Sequence, residues 1–132
     1  MLFRSRGLLS FSGGAGIQSN GSAWAAPSAP EGQQTAFLQS VSQISQSFNL
    51  AAGNYTVSFY AARRPYGGIQ PVQVSIDGAA IGAPITPAGT SFALYTTSSF
   101  TISTTGVHTL QISGTNGTGD NTTFIDGVGV SP

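Results

Sequence analysis

Apolar and polar residues alternate with a period of two in short runs along most of the chain, and the runs close on Gly, Pro, Asn or Asp. Helical periodicity is nearly absent, so the expected fold is all-β, built from short antiparallel strands. Tyr55, Val57, Phe59 and Ala61 share one parity and Thr56, Ser58 and Tyr60 the other. Such a strand buries one face and wets the other, which puts Tyr60 on the wet side. The same reading turns Val72, Val74 and Ile76 inward and Gln73 and Ser75 outward; Phe92, Leu94, Phe100, Ile102, Leu110 and Ile112 also turn inward, and Tyr95 outward. Two separate strands are expected at residues 36–39 and 44–50, and the last at 123–130. Ala52-Gly53-Asn54, Asp77-Gly78, Thr105-Gly106 and the segment 117–121 supply the residues that tight turns need. By contrast, residues 13–30 are rich in Gly, Ala, Ser and Pro without a pattern and read as loop. About eight strands with such short connections predict an antiparallel β-sandwich, a jelly roll or a relative of it.

With 132 residues there is room for one core. Residues 13–132 read as a single β-sandwich domain and residues 1–12 as a non-native or disordered segment. Met1 to Ser5 match what the end of a sequencing adapter encodes, and such scars stand outside fold reasoning. Arg4 and Arg6 precede Leu8 and Leu9, but Gly7, Ser10, Ser12, Gly13 and Gly14 interrupt the run. A signal peptide needs roughly 7–15 apolar residues there, so none is expected in this chain.

Only 6% of residues are charged, none is lysine and the net charge is zero. Nucleic acid is excluded as a partner, because neutralising phosphates takes several cations at one surface. Anionic membranes find no basic patch, and no run approaches the roughly 18 apolar residues of a transmembrane helix. Without cysteine there are no disulfides, thiolate nucleophiles or zinc–thiolate sites. The hydroxyl- and amide-rich surface is of the kind that extracellular bacterial proteins carry, which makes secretion or the cell surface the expected location.

The phrases APEGQQTAFLQ, ISQSFNLAAGNYTVSFYAARR, PVQVSIDG, TSFALYTTSSFTI, GVHTLQISGTN and GDNTTFIDGVGV occur in an order that resembles bacterial secreted modules of the galactose-binding-like jelly-roll superfamily. These are related to the carbohydrate-binding modules of polysaccharide-degrading enzymes. The resemblance implies a jelly roll over residues 13–130 and a non-catalytic role in binding polysaccharide or glycan. It also implies an opening strand that this chain lacks, leaving an exposed sheet edge through which copies self-associate. A structural calcium belongs to such modules, held in part by an aspartate in an Ile-Asp-Asp-Val-like phrase; here FIDGVGV keeps Asp126 and has Gly127 for the second acid. No other cofactor is expected.

Candidate site residues follow from chemistry. Asp126 shares parity with Phe124 and Val128, and a buried carboxylate must be hydrogen-bonded or sit on a cation, which makes it the metal candidate. A glycosidase needs two facing carboxylates. Asp77 has its own explanation in a turn and Glu31 in a loop, and neither has a partner in sight. His108, the only histidine, shares parity with Leu110 and Ile112 and reads as hydrogen-bonded at the core rim. No enzyme is expected. Sugar rings stack their C–H faces on aromatic rings and take hydrogen bonds from Arg and amide side chains. Tyr60, Arg63, Arg64 and Tyr66 offer both within one strand end and loop, with Gln73, Tyr95 and Trp24, the only tryptophan, as further candidates. The competing reading is a structural or adhesive domain of a bacterial surface or matrix protein without a small ligand.

Overall fold

A computed structural model describes residues 10–19, 30 and 34–132. They form nine strands: β1 Ser10–Ser19, β2 Gln34–Leu50, β3 Gly53–Arg63, β4 Val72–Ile76, β5 Ala79–Ala80, β6 Ala93–Thr96, β7 Phe100–Ile102, β8 Gly106–Gly114 and β9 Thr122–Ser131. No described residue is helical, and every ladder between these strands is antiparallel. The strand order is β5-β4-β8-β2-β9-β3-β6, with β1 beside β2 and β7 beside β3. This sheet curls back on itself into a sandwich. The hinge is β2, whose residues 36–39 pair with β9 and residues 42–50 with β8.

Between the layers lies one apolar core. Leu38 and Ile44 from β2, Val57 and Phe59 from β3, Val74 from β4, Ile112 from β8 and Ile125 from β9 are all at most 1% exposed. Val57, Phe59, Val74 and Ile112 are positions that the alternation turns inward, because a half-buried strand permits no other phase. Asp77 and Gly78, both at positive φ, make the β4–β5 turn that the Asp-Gly pair predicts.

Four expectations are corrected. Residues 36–39 and 44–50 belong to one strand: Ser40 adopts a left-handed φ of 58° between them, and β1 runs alongside both halves, its register stepping between Gly13 and Gly14. Residues 13–19 are not loop but part of β1. Their glycines hide the alternation because they sit where β1 meets β2 closely; a Cβ on Gly14 would lie 2.5 Å from the Gln39 carbonyl oxygen. Ser10, Phe11 and Ser12 pair with Ser45, Ile44 and Gln43 in the same strand.

On β6 the phase is reversed. Leu94 is 57% exposed, whereas Tyr95 packs against the core opposite Phe59, with ring centroids 6.2 Å apart. A strand of four residues at a sheet edge carries too few alternations to set its own phase, and its pairing with β3 sets it. On β9, Asp126 and Val128 do not share a face. Ser58 pairs with Gly129 and Tyr60 with Asp126, so two residues of β9 stand against one of β3, and Gly127 has a φ of 58°. This is a glycine-type β-bulge, and its extra residue flips everything beyond it. Ile125 and Val128 both face the core, while Phe124 and Ala62 are fully buried without joining it, so the outer face of the β9–β3 layer is covered here too.

Candidate functional site

The two arginines sit where β3 runs out. The Arg63 N–H donates to the Gly89 carbonyl at 2.8 Å and the Arg64 N–H to that of Thr122 at 3.3 Å. Beyond them the chain leaves the sheet as the segment 65–71. Arg64 Nη1 stands 3.2 Å from both carboxylate oxygens of Asp120, in the loop before β9, and Gln39 Nε2 donates to Asp120 Oδ1 at 2.9 Å. One carboxylate therefore gathers donors from β2 and from the residue that follows β3. Its side chain is 58% exposed, so the pair contributes only about 0–1 kcal/mol to stability and matters for geometry.

The same loop is held along its backbone. The Gly68 N–H donates to the Asp120 carbonyl at 2.7 Å, and Gly67 has a φ of +89° with so little room that a Cβ would lie 2.2 Å from that oxygen. Only glycine fits there. Beneath it is Gln70, fully buried. Its Nε2 donates to the Ser40 carbonyl at 2.7 Å, to Asn121 Oδ1 at 2.6 Å and to the Asn116 carbonyl at 3.2 Å. Its Oε1 accepts the N–H groups of Thr115 at 2.9 Å and Asn116 at 2.8 Å. Asn121, equally buried, accepts the Ser40 N–H at 3.1 Å and donates to the Thr118 carbonyl at 2.8 Å. Two side-chain amides thus tie the left-handed residue of β2 to the loops on either side of the arginines, and a satisfied buried network of this kind rigidifies what it joins.

On this base Tyr66 stands 68% exposed. Arg63 is half-buried, and among the described residues its guanidinium makes no hydrogen bond or ion pair. Val41 and Ile69, 66% and 46% exposed, belong to the same end: a Cβ on Gly117 would lie 3.0 Å from Val41 Cγ2, and Asn116 Nδ2 donates to the Ile69 carbonyl at 3.0 Å. Exposed apolar and aromatic groups around a hydrogen-bonded Arg–carboxylate pair can stack on a flat apolar face while offering donors to hydroxyls.

Of the residues singled out from sequence, Arg63, Arg64 and Tyr66 lie at the same end of the sandwich, where β3 runs out. Tyr60, 36% exposed, faces outward as expected, but four residues before Arg64, roughly 13 Å away along the strand, opposite Leu94. Gln73 lies on β4 in the other layer, where Nε2 donates to the carbonyls of Val74 and Gly82. Tyr95 is corrected as a surface candidate: its ring is on the core and its hydroxyl accepts the Ala88 N–H at 2.9 Å. Trp24 and Glu31 lie outside the described residues. Gln39, Asp120, Val41 and Ile69 were not singled out, since nothing in the sequence links Arg64 to an aspartate 56 positions away.

Asp126 is buried on the outer side of β9, 4% exposed. Calcium takes six to eight oxygens. Among the described residues no group of three His, Asp or Glu side chains could hold a metal.

At the opposite end, His108 and Asp77 resemble two members of a catalytic triad. The Nδ1 of His108 is 2.5 Å from Asp77 Oδ2, but its Nε2 is 2.7 Å from the Thr104 carbonyl oxygen. A general base needs that nitrogen beside a hydroxyl. The position is taken by a backbone acceptor.

No family model matches the sequence, and no curated protein matches it. In three dimensions the chain is similar to a family 35 carbohydrate-binding module from Clostridium thermocellum, with a TM-score of 0.67 and 12% identity over 92% of this chain and 90% of that one. It is similar to the module TmCBM61, solved in complex with β-1,4-galactotriose, with a TM-score of 0.66 and 16% identity over 93% and 87%. The fold also forms part of the isomalto-dextranase of Arthrobacter globiformis T6: TM-score 0.66, 13% identity, 92% of this chain and 21% of that one. At these identities the likeness is one of fold, and the fold is the jelly-roll β-sandwich of carbohydrate-binding modules.

Proposed function

We propose that this chain is a non-catalytic carbohydrate-binding module of an extracellular bacterial protein, and that it takes polysaccharide or glycan at the loop end of the sandwich. The observation that carries the reading is Tyr66: an aromatic ring 68% exposed, on a loop whose backbone is fixed by Gly68 and Asp120 above and by Gln70 and Asn121 below. A rigid exposed ring spends little conformational entropy on stacking against a sugar. Arg63 and Arg64 beside it donate to hydroxyls, and Gln39 adds an amide. The neighbours' fold and names support this reading; fold alone does not assign function. The proposed function requires no cofactor.

The test is binding of the purified chain to a glycan panel and to insoluble polysaccharides, with and without calcium, wild type against Tyr66→Ala, Arg63→Ala and Tyr60→Ala. Tyr66→Ala is expected to weaken binding by about tenfold or more. Arg63→Ala should have a smaller effect and Tyr60→Ala, up the strand, the least. Failure of the folded wild type to bind any glycan overturns the reading, and equal affinities in all three variants move the site elsewhere.

The structural or adhesive reading is favoured by β1. Among the described strands it pairs with β2 alone, and Phe11 and Ile17 on it are 37% and 48% exposed. An edge of that kind invites a second copy. Sedimentation showing a concentration-dependent dimer in a chain that binds no glycan supports it.

A further inference from the structure

At the end of the sandwich remote from Tyr66, the β4–β5 turn and the β7–β8 turn enclose a cleft of about 330 Å³, with Ile76, Ile81 and Phe100 on its apolar side and Asp77, Thr104 and His108 on its polar side. Its polar groups are committed to one another rather than open to a ligand. The Thr101 hydroxyl donates to Asn54 Oδ1, and Asp77 Oδ1 accepts the Thr109 N–H at 2.8 Å.

His108 stands between two groups that can only accept. Asp77 Oδ2 is 2.5 Å from Nδ1 and the Thr104 carbonyl oxygen is 2.7 Å from Nε2. A neutral imidazole has one N–H and one lone pair, so it satisfies one acceptor and turns a lone pair on the other. Only the imidazolium serves both. We infer that His108 is a proton-operated clamp: as the cation it holds the β7–β8 turn against the β4–β5 turn across this cleft, and on losing its proton it releases the β7–β8 turn and opens the cleft.

Among the described residues the surroundings leave Asp77 as the one charged or titratable partner. Opposite His108 on β2 is Phe48; the cleft wall is Ile76, Ile81, Phe100 and Ile102; the β7–β8 turn brings Ser103 and Thr104. Arg63, Arg64 and Asp120 lie past the far end of β8, roughly 20 Å away at the rise of a strand, and Asp126 is on β9. The hydrogen bond to Asp77, and then that to Thr104, hold the imidazole above its ordinary 6.5. The hydrogen bond from His108, and then that from Thr109, hold the Asp77 carboxyl below its ordinary 3.8.

The signs follow from linkage. The His108 contribution is complete below 6.5 and is lost as pH rises through the raised folded value, while the Asp77 contribution is complete above 3.8 and is lost as pH falls through the lowered one. The clamp is therefore closed below the ordinary histidine value and opens as pH rises through the raised one.

As the only histidine, His108 gives unique ring ¹⁵N signals. A pH titration by NMR should show both ring nitrogens protonated at about pH 6.5 and a midpoint above the ordinary histidine value. Through that midpoint the amide-exchange protection of residues 103–107 should fall by about tenfold relative to that of Ile112. Asp77→Asn should lower the midpoint and abolish the pH dependence of the turn, since an amide can donate to the neutral ring as well as accept. A wild-type midpoint at or below the ordinary value overturns the clamp. So does a titration that leaves the turn's protection unchanged.

Discussion

Gln70→Ala is expected to lower the melting temperature by roughly 10–20 °C, from a loss of about 3–5 kcal/mol. Gln70 is fully buried, and its amide serves the Ser40 carbonyl, Asn121 Oδ1, the Asn116 carbonyl and the N–H groups of Thr115 and Asn116. Alanine takes the amide away from every one of these partners, of which Asn121 is fully buried and Ser40 and Asn116 are partly so. A buried group without a partner costs about 1–3 kcal/mol, and the loops recover part of the loss by moving apart to admit water. Gln70→Glu separates hydrogen bonding from size. A carboxylate still accepts from Thr115 and Asn116 but faces the Ser40 carbonyl and Asn121 Oδ1 with no donor. This variant should therefore be nearly as unstable at neutral pH and regain stability in acid, where a protonated carboxyl donates again. Calorimetry across pH measures both, and a Gln70→Ala transition within about 3 °C of the wild type would rule the account out.

The opposite sign is expected at Gln46. It is 2% exposed, lies on β2 between Ile44 and Phe48 and opposite Leu110, and neither amide atom has a hydrogen-bond partner among the described residues. Gln46→Leu keeps most of the volume and removes the unpaired donor and acceptor. The gain should be about 1–3 kcal/mol, or several degrees in melting temperature. A fall instead would mean that water inside the core already satisfies the amide, since buried polar groups of native proteins are rarely left bare.

These two glutamines also mark how far the sequence could be read. Each stands among apolar residues, and nothing local tells the five-bonded one from the bare one; the difference is made by Ser40, Asn116 and Asn121, brought in from elsewhere in the chain. The alternation at Val57, Phe59, Val74 and Ile112 was legible because burial of one face enforces it. It failed where backbone geometry intervenes. Gly127 inserts a bulge that puts Asp126 and Val128 on opposite faces, Ser40 bends β2 without a turn signal, and glycines in β1 leave no side chains to alternate. At the site, Arg63, Arg64 and Tyr66 were visible as a local cluster. Asp120 and Gln39 were not, since they meet Arg64 only through the sheet.

The double allegiance of β2 also governs the order in which the protein can be made. Residues 42–50 can pair as soon as β8 has emerged, but residues 36–39 wait for β9, and β3 waits for the same strand. Pairings this distant in sequence form slowly. Until Thr122–Ser131 has left the ribosome, the inner edge of β2 and the long edge of β3 both stand open. A nascent chain held at that stage is most exposed to pairing with its neighbours on the same message. Expression at low temperature or from sparse messages should accordingly favour the folded product over aggregate.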